Sequence, residues 1–201
     1  MSARQKMINL MYLVFIAMLA MQMSKEVLSA FGFMNEKLEA NNASTTEKNN
    51  QAYANLETKA SEQVAKFGEL NRQANQVKSL SGDFYSYLEN LKAKMTADLE
   101  DAKDYESMDK TLFLDTYFFK GDGYTTNGQE FLALLNPYRI QLNDILGENN
   151  SFSSVLNDRF NTDVVIDNDG VKVPWLKYRY EGFPLVASLT NITQMQADIR
   201  N

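Results

Sequence analysis

Apolar residues dominate the start of the chain, where no charge interrupts them. The eighteen residues between Lys6 and Lys25 read MINLMYLVFIAMLAMQMS and carry no formal charge. At 1.5 Å per residue, residues 7–23 form about 26 Å of helix, and the aliphatic stems of the flanking lysines extend it toward a ~30 Å hydrocarbon core. We therefore predict a transmembrane helix over residues 7–24. Because Arg4 and Lys6 precede it, residues 1–6 should be cytoplasmic and residues 25–201 periplasmic.

A cleaved signal peptide is the alternative interpretation of this segment. Its apolar part is typically about 7–15 residues long and ends in a small-x-small cleavage site. Here Met18, Met21 and Met23 lie where small residues are needed. The helical spacing of apolar residues also continues past the run, which predicts one unbroken helix to Ala40. The pattern favours a retained single-pass anchor in the inner membrane, in contact with the lipid bilayer.

Polar residues inside this apolar helix are candidate contacts with a partner. Arg4 and Gln22 are eighteen residues apart, which is five helical turns, so they share one face. Asn9 and Tyr12 lie on a second stripe that ends in the small pair Ala20 and Ser24, a spacing that suits close helix packing. Polar groups within a span usually face protein rather than lipid. The alternative is that Tyr12 and Gln22 are interfacial anchors and that Asn9 is tolerated near the lipid headgroups.

The rest of the chain has mainly helical spacing. We predict a hairpin loop over residues 41–46, a capping box from Ser44 to Glu47, and a helix over residues 44–80. An interruption at residues 79–83 should precede a third helix over residues 84–102. The apolar stripe of the second helix is a dimer interface or an internal surface of one protomer, and comprises Tyr53, Leu56, Ala60, Val64, Phe67, Leu70, Ala74 and Val77.

The C-terminal part predicts shorter elements. A second capping box, Asn127 to Glu130, should begin a helix that contains Pro137 and ends at Gly147, and a short helix should follow over residues 153–160. A small β-hairpin near residues 164–173 comes next. A last helix from Pro184 reaches Asn201 without C-cap signals, so we expect the native protein to continue. The fold class is mainly α: one transmembrane helix continuing into a periplasmic helical bundle.

Composition excludes several kinds of function. The chain has no cysteine and no histidine, which removes thiol nucleophiles, Ser-His constellations and the usual zinc sites. The net charge of −6 argues against nucleic-acid binding. No nucleophile, phosphate-loop or paired-carboxylate signature is present. We expect a protein that is not an enzyme and needs no cofactor or metal.

Two local patterns invite a ligand-binding interpretation. Residues 167–170 read DNDG, but an EF-hand would place Val165 at its first ligand position and Leu176 at its twelfth, so a turn is favoured over calcium. An aromatic cluster nearby suits a sugar- or peptide-binding platform in a cleaved exported protein, or core packing against the last helix, and core packing is favoured. Its members are Trp175, Tyr178, Tyr180 and Phe183.

The opening block RQKMINLMYLVFIAMLAMQMSKEVLSAF, residues 4–31, closely resembles the N-terminus of the GldM/PorM family of the Bacteroidetes gliding-motility and type IX secretion machinery. Residues 173–190, VPWLKYRYEGFPLVASLT, resemble the family more weakly. The resemblance implies an inner-membrane molecular motor driven by the proton motive force. A homodimer would send its two helices through a pentameric ring of GldL, a two-span protein. Its periplasmic part would pass work to periplasmic and outer-membrane secretion components.

One departure from related motors bears on the mechanism. Flagellar stator subunits and ExbD-type proteins carry an aspartate in their single span, whereas residues 7–24 contain no ionisable acid. If protons move, the titrating carboxylate belongs to the ring. Our hypothesis is that Arg4 is the counter-charge of a ring glutamate, because a nearby guanidinium favours an ionised carboxylate. Asn9, Tyr12 and Gln22 are weaker candidates for ring contacts.

Two alternatives remain open at this stage. In the first, Arg4 is only a charge that sets topology. In the second, the chain is a signal-anchored periplasmic scaffold or adaptor with a passive span. In that case the helical bundle binds partners and the apolar helix has no mechanistic role.

Overall fold

Long helices make up most of the chain, whose computed structural model describes residues 3–21, 24–147 and 151–201. The three longest are α2 (Lys25–Glu62), α3 (Val64–Thr96) and α5 (Thr126–Leu146), and α1 (Ala3–Met21) precedes them. The remaining elements are a 3-10 turn (Tyr105–Ser107), α4 (Leu112–Phe118), β1 (Phe119–Lys120), β2 (Gly123–Tyr124), α6 (Ser153–Arg159), β3 (Val165–Ile166), β4 (Lys172–Val173), α7 (Trp175–Tyr180) and α8 (Leu185–Arg200). The prediction of a mainly helical fold with a small hairpin is confirmed.

The predicted unbroken helix from the apolar run to Ala40 is wrong at Ser24. This residue has extended backbone angles (φ −68°, ψ 144°), and its hydroxyl accepts a hydrogen bond from the N–H of Val27. Ser24 is therefore the N-cap of α2. Gln22 and Met23 lie outside the described residues.

The predicted loop over residues 41–46 and the Ser44–Glu47 capping box are also wrong, because α2 runs through both. Asparagine, serine and threonine side chains compete for backbone hydrogen bonds in isolated helices, which is why NNASTT predicts a loop. In the folded chain the Asn42 side chain is buried and donates to the carbonyl oxygen of Thr193 (3.2 Å). The Asn42 side chain therefore bonds to α8 and does not compete for backbone groups of its own helix.

The interruption predicted at residues 79–83 does not occur either, since α3 continues from Val64 to Thr96. Ser81 is buried and is hydrogen-bonded to the hydroxyl of Tyr138 on α5 (3.0 Å). The break between α2 and α3 falls instead at Gln63, whose backbone (φ −135°, ψ 64°) leaves the helical region. No glycine or proline marks this position, so the sequence contained no strong signal for it.

The shorter predictions fare better. The hairpin is confirmed, with Val165 paired to Val173 and Ile166 to Lys172. The Asp167 carboxylate accepts from the N–H groups of Asp169 and Val171, which makes DNDG a turn.

The boundaries of α5 and α6 agree closely with expectation. Helix α6 was predicted almost to the residue, and Gly147 ends α5 with a positive φ of 86°. The N-cap of α5 is Thr125, two residues before the predicted N-cap Asn127. The hairpin of β1 and β2 was not predicted.

Helix α8 is the centre of the fold. Its hydrogen bonds join Phe31 to Thr190 and Asn49 to Arg200, so α8 runs parallel to α2. The α3 side chains Lys92 and Tyr85 contact Gln196 and Arg200 respectively, so α3 is antiparallel to α8. Of the α8 residues, Gln194 alone is exposed, and twelve of the sixteen are buried. A helix buried on nearly all sides must satisfy polar as well as apolar neighbours.

An aromatic core joins α4, α5 and α7 on the other side of α3. The Phe118 ring contacts Phe131 and Tyr180, with centroids 5.1 Å and 5.6 Å apart, and Trp175 stacks on Phe131. The predicted aromatic cluster thus divides: Trp175 and Tyr180 are buried in this core, whereas Tyr178 and Phe183 are exposed. Core packing accounts for the first pair.

A proline scan distinguishes the observed helix from the predicted loop. Ala43 is exposed within α2, so Ala43→Pro should cost about 3 kcal/mol or more by removing a backbone hydrogen bond and crowding the preceding turn. Val64→Pro, at the first residue of α3, should cost far less. Urea unfolding of the full chain in mild detergent, followed by circular dichroism, measures both. Equal tolerance of the two prolines would contradict a continuous α2.

Candidate functional site

Helix α1 carries three of the four predicted site residues. Arg4, Asn9 and Tyr12 are all exposed, and Gln22 lies outside the described residues. At 100° per residue, Asn9 and Tyr12 lie on neighbouring sides of the helix, whereas Arg4 is about 140° from Asn9. The helical conformation therefore places Asn9 and Tyr12 together and Arg4 on a different stripe, as the spacing predicted.

The apolar side chains of residues 4–16 in α1 have no cover from the part of the chain that the structure describes. Over residues 4–16 every side chain is exposed, including Met11 at 68% and Leu13 at 67%. Across the described residues, no helix is both long and apolar enough to meet a hydropathy criterion for crossing a membrane.

Charged residues fix the beginning of α2, directly after Ser24. Lys25 forms an ion pair with Glu106 of the 3-10 turn (3.1 Å), and the hydroxyl of Ser29 donates to the same carboxylate (3.4 Å). The hydrogen bond to Glu106 raises the pKa of Lys25. Backbone and Ser24 hydrogen bonds at the helix N-terminus lower the pKa of Glu26. These contacts attach the start of α2 to the segment that follows α3.

A glycine allows the 3-10 turn to approach α2 closely. A Cβ on Gly32 would lie 2.1 Å from the Tyr105 ring, so no larger residue fits without displacing that ring. The Tyr105 hydroxyl donates to Glu36 one turn further along α2 (3.4 Å), and burial raises the pKa of Tyr105. The Tyr105 ring thus packs against the backbone of α2 near the N-terminal end of that helix.

Three asparagines spaced seven residues apart join α2 to α8. Asn35 accepts from the hydroxyl of Thr193 (2.6 Å), Asn42 donates to the carbonyl of Thr193, and Asn49 donates to the carbonyl of Arg200 (2.8 Å). Below them the Thr190 hydroxyl contacts the carbonyl of Phe31 (3.2 Å). We call these four contacts the polar ladder. On α2 each contact lies at a different level, and on α8 the contacts of Asn35 and Asn42 meet at Thr193.

A buried lysine adds α3 to the ladder. Lys92 is 8% exposed, and its ammonium group donates to Glu39 of α2 (2.8 Å) and to the side-chain oxygen of Gln196 of α8 (3.2 Å). The Gln196 amide in turn donates to Glu89 (2.8 Å). A buried charge is tolerated when it is paired and hydrogen-bonded, as here. One layer of side chains therefore ties three helices together.

Among the described residues, no three acidic side chains lie close enough together to hold a metal ion. The candidate functional elements are the exposed residues 4–16 of α1 and the polar ladder between α2 and α8. Sequence reasoning missed the ladder entirely, although the seven-residue spacing of Asn35, Asn42 and Asn49 in a helix was a visible signal.

A sequence model described as the GldM N-terminal domain matches residues 26–201, which is most of the chain. No curated protein matches this chain. The match begins in the first turn of α2 and includes the whole polar ladder.

Gly32→Ala tests the close approach of Tyr105. The added methyl group should displace the ring and lower the free energy of unfolding by about 1–3 kcal/mol. Gly82→Ala is the matched control, because a Cβ there meets nothing within 4 Å and should stabilise α3 by about 0.5–1 kcal/mol. Urea unfolding in detergent measures both changes. A neutral Gly32→Ala would show that the ring does not sit there.

A double-mutant cycle tests the ladder. Asn35→Ala and Thr193→Val should each cost about 0.5–1.5 kcal/mol, since each removes the hydrogen bond between these two buried side chains. The double variant should cost less than their sum, because the shared contact is lost once. Gln194→Ala, at the exposed position of α8, should change the stability by less than about 0.5 kcal/mol. Strict additivity of the two changes would contradict the contact.

Proposed function

Because the chain belongs to the GldM family, we propose that it is the dimeric, rotor-like subunit of a proton-driven inner-membrane motor. Family membership itself connects the chain with gliding motility and the type IX secretion machinery. The family match over residues 26–201 is the observation that carries the proposal.

In this proposal α1 crosses the inner membrane. Support comes from the sequence: eighteen uncharged residues lie between Lys6 and Lys25, and basic residues precede them. The exposed apolar side chains of residues 4–16 agree with surroundings that this chain does not supply. The N-terminus is then cytoplasmic and α2 to α8 lie in the periplasm.

The partner of the span is a pentameric ring of a GldL/PorL-like two-span protein with intramembrane glutamates. Residues 7–24 offer no ionisable acid, so the ring supplies the group that exchanges protons. Arg4 provides a fixed positive charge at the cytoplasmic end. Its approach stabilises one ionised ring glutamate, and its departure favours proton uptake by that glutamate.

Symmetry makes these contacts sequential in our proposal. Two helices of a dimer inside five ring subunits cannot contact every subunit equivalently. Ring glutamates are therefore engaged in turn as the dimer rotates, with Asn9, Tyr12 and Gln22 as further contacts. The periplasmic helices pass the resulting work to outer secretion components.

Substitution of Arg4 tests the counter-charge. Arg4→Ala should abolish type IX secretion and gliding, and Arg4→Lys should restore them in part, because lysine keeps the charge and loses the planar guanidinium. Lys6→Ala is the matched control, since it removes one cytoplasmic positive charge and leaves Arg4 in place. Secreted protein and gliding speed are measured beside membrane levels of each variant.

The control separates the motor from a passive anchor. If Arg4 only sets topology, Arg4→Ala and Lys6→Ala should behave alike, and unchanged secretion with Arg4→Ala would overturn the counter-charge. Purification in mild detergent gives an independent test. The proposal requires co-purification with a two-span, glutamate-bearing protein, whereas purification of the chain alone would favour a signal-anchored scaffold.

A further inference from the structure

The direction of two helices determines how a pull along the molecule would load their interface. Helix α2 begins at Lys25, next to the apolar helix, and α8 runs parallel to it and ends at Arg200, level with Asn49. A pull that enters at the start of α2 and leaves at the end of α8 therefore slides the two helices past each other. The interface is loaded in shear.

Shear distributes a load over all levels of the polar ladder at once. Its contacts join Phe31 to Thr190, Asn35 and Asn42 to Thr193, and Asn49 to Arg200. To slide α8 along α2, these hydrogen bonds must break together. If α8 is instead pulled away from its C-terminal end, the same bonds break one after another, beginning at Asn49.

Polar contacts also determine the register, which apolar packing alone does not. Buried asparagines between helices specify alignment at some cost in stability. Four polar residues of α8 are buried: Ser188, Thr190, Thr193 and Gln196. Displacing α8 by one turn would separate Asn35 from Thr193 and Gln196 from Lys92 and Glu89. Each polar group left unpaired in the interior costs about 1–3 kcal/mol. A shifted register is thus strongly disfavoured.

We propose that the polar ladder and the Lys92 layer form a shear clamp, which passes axial load from α2 to α8 without sliding. This proposal rests on the proposed function for the origin of the load. The clamp itself is a property of the purified chain. The clamp connects α2 and α8, so that a load applied to the start of α2 is carried by α8.

Single-molecule pulling of the full chain in detergent micelles tests the clamp. The chain has no cysteine, so two engineered cysteines define the attachment points. Glu26→Cys with Asn201→Cys loads the α2–α8 interface in shear, and Lys48→Cys with Asn201→Cys peels α8 from its end. The first pair should unfold at a force higher by about twofold or more, because the hydrogen bonds share the load. Equal forces in the two geometries would overturn the proposal.

Variants separate the clamp from general stability. Asn35→Ala combined with Thr193→Val should lower the shear force more than the peeling force, so that the ratio of the two falls toward one. Leu142→Ala, a core change on α5, is the control and should lower both forces alike. A constant ratio in the ladder variant would contradict the clamp.

The pulling experiment does not depend on ring binding or secretion. Failure of the Arg4 test with an intact force ratio would reject the motor and keep the clamp. Equal forces in the two pulling geometries, together with loss of secretion in Arg4→Ala, would reject the clamp and keep the motor.

Discussion

The insertion of α8 between α2 and α3 is the interaction on which the rest of the structure depends. Twelve of its sixteen residues are buried, and Lys92, Glu39 and Gln196 connect all three helices in one layer. Because α8 comes last in this sequence, α2 and α3 are covered by a segment that lies 151 residues from Asn42 and 104 residues from Lys92 along the chain. The middle of α2 is polar and makes sense as a helix only once α8 lies beside it.

Local rules predicted elements whose stability is local. The hairpin at residues 165–173, the glycine end of α5 and the short helix α6 were found from turn and capping signals. The errors were of a different kind. Residues 41–46 and 79–83 resemble breaks, yet Asn42 and Ser81 are satisfied by Thr193 and Tyr138, partners that no local pattern identifies. Tertiary hydrogen bonds overrode local preference at both places.

Only part of the candidate site could be predicted from the sequence. The uncharged run indicated an apolar helix, and α1 is helical over Ala3–Met21. The polar ladder was missed because asparagine within a sequence is more often a sign of loops than of helix pairing. Its function depends on which helix lies opposite, and that information resides in the fold.

Native-state hydrogen exchange of the full chain in detergent tests the central role of α8 most directly. The amides of α8 and those of α2 over residues 28–49 should exchange last and together, because they open only when α8 leaves its site. Residues 50–62 of α2 and 64–76 of α3, beyond the reach of the polar ladder, should exchange sooner. Exchange of α8 as early as those residues would contradict the account.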